Sequence, residues 1–297
     1  VPKDTCSIVA HRIAALARGV TVELYERDPA REALEKIDAR RAGNLQTWLV
    51  PRREPEALLK QARAPIDDMV SRDAQAITVH PSITSREVFL RYRGMPFARW
   101  DDSKVYFGCN DAREELTGAT RPAFERMLEG LQVHRHPLAT DTRHALYRAQ
   151  PERWLEAIVR NDVTRVDAVL DPRFVYTQVF AGWGGEHGII DVLTITRSGR
   201  LAILELKAGE HIHLPVQATD YWLRVSRHLE LGEFRAYGYF PGVEIQQAPP
   251  LVYLVAPALR FHPATGTLLR HLEPEIEFVR VGLAESWRRG IRVVSRQ

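Results

Sequence analysis

Three charged side chains sit where the surrounding residues give no reason for charge. The run Leu201-Ala202-Ile203-Leu204-Glu205-Leu206-Lys207-Ala208 is apolar on both faces apart from Glu205 and Lys207, as a covered central strand is. Side chains two apart project from the same face, so the acid and the amine stand together among apolar neighbours. Upstream, Ile189, Ile190, Val192, Leu193 and Ile195 surround a third charge, Asp191. Two carboxylates and an ammonium in an apolar sheet are suited to holding a hard divalent cation and working on a phosphate ester. Lys207 is the one lysine after Lys104 in a chain that otherwise supplies positive charge as arginine, and a compact, flexible ammonium does different work from a guanidinium.

Whether Asp191 meets Glu205 is a question of register. Arg197-Ser198-Gly199 fits a three-residue hairpin loop with glycine last, in the left-handed conformation. Thr196 then faces Arg200, and counting back sets Asp191 opposite Glu205, on a shared face about 5 Å away. A two-residue turn would oppose Asp191 to Leu206 instead, and the group would not assemble without a bulge. At about 4 Å and an effective dielectric near 20, two carboxylates repel by roughly 4 kcal/mol. A proton, the neighbouring ammonium or a divalent cation has to relieve that repulsion.

The elements that position these residues follow from the hydrophobic pattern. A helix over Pro151 to Arg160 is followed by strands at Phe174 to Phe180, Ile189 to Thr196 and Leu201 to Ala208. Next come a helix from about Pro215 to Leu229 and an apolar strand, Leu251 to Val255. A helix near Thr265 to Leu272 and strands at Ile276 to Val281 and Ile291 to Val294 close the chain. The αβββαβ order predicts an α/β fold, a mixed sheet flanked by helices. The first half reads as a smaller mixed α+β domain. Helices are expected at Ser7 to Arg18, Pro29 to Arg41 and Arg121 to Leu131, and strands at Val20 to Tyr25, Ala76 to His80, Glu87 to Tyr92 and Lys104 to Phe107. The boundary is placed near residue 140, giving domains 1–140 and 141–297.

Asp191, a thirteen-residue gap and Glu205-Leu206-Lys207 resemble the PD-(D/E)xK, restriction-endonuclease-like nuclease superfamily. The usual proline before the aspartate is Ile190 here. Gln217-Ala218-Thr219-Asp220-Tyr221 is similar to the QxxxY helix of the RecB-like members. The likeness covers residues 150–297 only. It implies an Mg2+- or Mn2+-dependent nuclease acting on DNA, endo- or exonucleolytic, with Asp191 and Glu205 as metal ligands and Lys207 assisting the water. Gln217 and Tyr221 would contact substrate. A helix glutamate completing the metal's surroundings is implied at Glu152, with Glu156 as second choice. A homodimer stays open. The alternative is a catalytically inactive nuclease-fold module that binds nucleic acid or a protein partner.

Plainer readings stand beside these. Glu205 and Lys207 fit a structural ion pair, which contributes little to stability because desolvation offsets attraction. Gln217 and Tyr221 fit an ordinary amphipathic helix, and Glu152 fits a solvated first-turn carboxylate. The stretch Gly182 to Gly188 reads as a hairpin connection, since it lacks the strand-loop-helix setting of a nucleotide loop. His211 with His213 and His134 with His136 read as surface pairs, and Arg288 to Arg292 as a basic end able to touch phosphates. Chemistry in the first half, around Arg91, Arg93, Arg99 and Trp100, is a third option.

Composition narrows the classes. Over 297 residues the net charge is +3, too small for coating a polyanion by charge alone. Cys6 and Cys109 are the only cysteines and form no zinc or disulfide framework. No apolar run approaches the roughly 18 residues of a membrane span, so a cytoplasmic location is expected. No Gly-x-Ser-x-Gly elbow supports a serine hydrolase.

Overall fold

The computed structural model describes all residues except 4, 18, 40–46, 53–55, 83–84, 110–113 and 184–187. The chain divides into two compact units, each discontinuous in sequence. One comprises Val1–Pro51, Asp162–Glu285 and Arg292–Gln297; the other comprises Arg52–Asn161 and Ser286–Ile291. This division differs from a single boundary near residue 140, because the first 51 residues make their contacts with the C-terminal half.

The chain begins with α1 (Cys6–Ala14), β1 (Leu24–Asp28), β2 (Ala33–Ile37) and β3 (Thr47–Leu49). The other unit then runs through α2 (Glu56–Ser71), β4 (Ile77–Pro81), β5 (Val88–Tyr92), β6 (Met95–Trp100), β7 (Val105–Phe107) and β8 (Glu114–Glu115). It continues with α3 (Arg121–His134), α4 (Ala145–Arg148) and α5 (Pro151–Asn161). The first unit resumes with β9 (Leu170–Trp183), β10 (Ile189–Thr196), β11 (Leu201–Leu206), α6 (Leu214–Glu230) and α7 (Glu233–Ala236). It ends with β12 (Leu251–Pro257), α8 (Thr265–Arg270), β13 (Phe278–Leu283) and β14 (Val293–Arg296). The chain is therefore α/β, and the αβββαβ order is that of α5, β9, β10, β11, α6 and β12.

In the first unit a seven-stranded mixed sheet has the order β14-β13-β12-β11-β10-β9-β3. The two hairpins β9-β10-β11 are antiparallel, whereas β11, β12 and β13 run parallel. Parallel pairing needs a crossover, and α6 supplies it between β11 and β12. Every residue of β11 and β12 is buried, as expected for central strands covered on both faces. Tyr221, Val225 and Leu229 of α6 pack with Leu193, Ile195, Leu201 and Ile203. Those sheet residues share the face of Asp191, Glu205 and Lys207.

The second unit has a five-stranded sheet, β4 to β8 in sequence order. Ala62, Ile66 and Met69 of α2, with Phe124, Leu128 and Leu131 of α3, cover the face bearing Ile77, Val88, Leu90 and Tyr92. Arg135, fully buried at the end of α3, donates to the carbonyls of Tyr92, Arg93, Leu146, Ala149 and Gln150 and lies over the Trp154 ring. One guanidinium thus satisfies the carbonyls of the β5–β6 turn and of the segment leading into α5.

One expected helix is a strand. Ala33–Ile37, inside the segment read as helical from Pro29 to Arg41, pairs antiparallel with β1, Leu24 opposite Ile37. The residues are good helix formers, but cross-strand contact with Tyr25 and the Lys36–Glu23 ion pair override propensity. Residues 40 and 41 lie outside the described residues. The helix α2, which contains Pro65, and the strands β3 and β6 were not expected. Among the described residues no helix is long and apolar enough to cross a membrane.

Candidate active site

The β10–β11 hairpin sets the geometry. Gly199 has φ of +93°, the Thr196 amide donates to the Arg200 carbonyl at 2.8 Å, and the Gly199 amide donates back to Thr196 at 2.9 Å. This is the three-residue loop, and it produces the pairing Val192 to Leu204 and Leu193 to Ile203. Carried one residue further, the same register sets Asp191 across from Glu205. There the ladder gives way to a side chain: the Leu206 amide donates to Asp191 Oδ2 at 3.0 Å, which orients the carboxylate.

Glu205 has no exposed surface. Lys207 Nζ donates to its Oε1 at 2.7 Å, while Oε2 is buried with no hydrogen-bond partner among the described residues. Burial is the larger cause that pushes the Glu205 carboxyl up to about 8, the Asp191 charge adds to the rise, and Lys207 opposes it. An acid in this position takes up a proton at neutral pH unless a cation arrives to hold it ionised.

Gln217 and Tyr221 lie one turn apart on α6, and Gln217 Nε2 donates to the Tyr221 hydroxyl at 3.1 Å. Tyr221 is nearly buried. Its phenol is pushed up to about 12, first by burial, then by the Glu205 charge and in smaller part by Asp191. The five residues Asp191, Glu205, Lys207, Gln217 and Tyr221 therefore form one neighbourhood within one unit.

Glu152 and Glu156 belong to the other unit, on α5. Glu156 is buried and ion-paired there with Arg153 at 3.1 Å and Arg91 at 3.7 Å. Among the described residues no trio of His, Cys, Asp or Glu forms a metal-ligand set, so the carboxylates brought together are the pair Asp191 and Glu205. That pair still fits a hard cation: two oxygen donors from opposed strands, one of them an orphaned buried acceptor.

The remaining motifs fall elsewhere. The glycine-rich stretch is centred on residues 184–187, outside the described residues. His211 and His213 contact edge to face at 5.7 Å, whereas His134 stacks on His144 at 3.6 Å rather than pairing with His136. Arg288 lies over the rings of Trp287, Tyr147 and Trp154. Sequence spacing concealed a cluster in the second unit that joins Arg91 to His80, Arg153 and Arg160. The available signal was the recurrence of Arg153, Glu156 and Arg160 at steps of three and four.

No family model matches the chain, and no curated protein matches it. Among solved structures, one described as an EndoMS–dsDNA2 complex is 13% identical with a TM-score of 0.27, covering 69% of this chain and 64% of its own. A repair endonuclease from Pyrococcus abyssi is 14% identical with a TM-score of 0.27, covering 68% of this chain and 63% of its own. The chain thus spans less than two thirds of either neighbour's length, and at that TM-score neither likeness bears on what this chain does.

Proposed function

We propose that the chain is an Mg2+- or Mn2+-dependent nuclease of the PD-(D/E)xK kind that hydrolyses phosphodiester bonds of DNA. The observation that carries this reading is Glu205, a wholly buried carboxyl with one oxygen unpartnered among the described residues, facing Asp191 and tied to Lys207. A divalent cation held by Asp191 and Glu205 would supply Lewis-acid stabilisation of phosphate oxygens and acidify a water.

The chain's own residues do the rest. The Leu206 amide fixes Asp191, and the hairpin register fixes Glu205 opposite it. Lys207, an ammonium with three donors, gives one to Glu205 and is placed to hold a water or a phosphate oxygen beside the two acids. Tyr221, near Glu205, and Gln217, which donates to its hydroxyl, would orient substrate from α6. DNA over RNA rests on the family resemblance.

The test is cleavage of linear, nicked, branched and single-stranded DNA with Mg2+ or Mn2+. Lys207→Ala is expected to lower the rate by about 10²–10³-fold, with the circular dichroism spectrum retained. The 2.7 Å ion pair between Lys207 and Glu205 favours a second reading, an inactive nuclease-fold module. Absence of both divalent-ion binding and cleavage of every substrate would decide for the module.

A further inference from the structure

The second unit carries a concentration of positive charge that the cutting chemistry does not use. On the sheet face turned away from α2 and α3, the alternation of strand side chains places Thr78 and His80 of β4 beside Phe89 and Arg91 of β5. Arg153, Glu156 and Arg160 of α5 meet this face. Arg153 Nη1 is 3.1 Å and Arg91 Nη1 3.7 Å from the Glu156 carboxylate. Arg160 Nη1 is 3.1 Å from His80 Nε2, and Thr78 Oγ1 is 2.8 Å from the same nitrogen.

Two guanidiniums, Arg91 and Arg153, thus share one carboxylate, and the third, Arg160, lies against His80. Arginine only donates, so a ring nitrogen of His80 accepts from Arg160, and the ring is neutral. Burial, then the charges of Arg91, Arg160 and Arg153, drive the His80 imidazole down to about 2, in keeping with that assignment. Among the described residues Arg91 Nε is buried without a hydrogen-bond partner, and the charge of Arg52 also bears on Arg160. Among the described residues guanidinium here exceeds carboxylate, and half-buried guanidiniums in such excess are costly unless an anion completes them.

We propose that Arg91, Arg153 and Arg160 form a binding site for a phosphate group, carried either by a nucleic-acid backbone or by a free phosphate compound. The guanidinium fork matches phosphate oxygens in pairs. A cavity of about 10 Å³ lies between Thr78, His80, Arg91, Glu156 and Arg160, room for one water-sized atom. One phosphate oxygen enters it, while the rest of the group stays at the mouth, where the Arg91 and Arg153 side chains are 19% and 34% exposed. Glu156 holds two of the guanidiniums in place from below. The nucleic-acid form of this inference rests on the reading above, but the phosphate site does not.

The experiment uses the full chain in EDTA, so that nothing is cut. Pyrophosphate is titrated by calorimetry, and a labelled duplex by fluorescence anisotropy at several salt concentrations. Arg160→Gln is expected to weaken binding at least about tenfold and to lower the duplex salt slope by about 0.9, whereas Arg160→Lys keeps the slope. Arg153→Gln, at the more exposed position, gives the same reading should Arg160→Gln lose its fold by circular dichroism. Loss for the duplex alone assigns a backbone phosphate; loss for pyrophosphate alone assigns a free phosphate compound. Failure of the wild type to bind either probe, or variants that bind as wild type does, overturns the site. Both titrations read binding with no metal present, so failure of the cleavage reading is scored separately, by the cleavage assay alone.

Discussion

Glu205→Gln isolates the physics of the site. In the metal-free protein Glu205 is buried opposite Asp191, and its carboxyl is pushed up to about 8. A folded-state value above the unfolded one means that the stabilising proton is fully bound below the ordinary carboxyl value of 4.5 and is lost as pH rises through about 8. Each pH unit inside that window removes roughly 1.4 kcal/mol, so between pH 5 and pH 9 wild type should lose on the order of 4 kcal/mol that the glutamine variant keeps. Part of this is recovered if water enters. The assay is urea unfolding at both pH values, with hydrogen exchange over the β10–β11 peptides to report on this unit alone. Addition of Mg2+ in excess of its dissociation constant should restore wild type at pH 9 and leave Glu205→Gln unmoved. Stability–pH curves that run parallel for the two proteins would refute a strained carboxylate pair, and with it the main ground for a metal.

Mg2+ must displace the Glu205 proton, so its apparent affinity should rise up to about tenfold per pH unit from pH 6 and level off above about 8; calorimetric proton release that shows no pH dependence would contradict this. Gly199→Val should cost at least about 2 kcal/mol and loosen the hairpin. The position has φ of +93°, and a Cβ would lie 2.2 Å from the Glu244 carbonyl oxygen. An unchanged urea midpoint would show that the turn relaxes. Arg135→Leu should destabilise the second unit by about 3–5 kcal/mol, since it strips donors from the carbonyls of Arg93, Ala149 and their neighbours; a loss below about 1 kcal/mol would mean that water takes over.

The charge pattern of β10 and β11 already contained the candidate site, because burial periodicity and a three-residue loop are local properties. Residues apolar on both faces define a covered strand, and Asp191, Glu205 and Lys207 interrupt that pattern; Arg197-Ser198-Gly199 sets their register. Gln217 and Tyr221 were legible for a similar reason, since four residues along a helix return to one face.

Tertiary structure decided what local pattern leaves open. Ala33–Ile37 has helix-forming residues, yet a strand partner turned it into β2. Thr47–Leu49 gave no signal by itself and became a strand by pairing with β9. Most of all, the chain order concealed that residues 1–51 belong with the C-terminal half, and that Arg91 shares a carboxylate with Arg153 sixty-two positions later. Sequence periodicity reports which side of an element is buried, because that follows from backbone geometry. Which elements bury one another depends on contacts between distant segments, and no single stretch of chain encodes them.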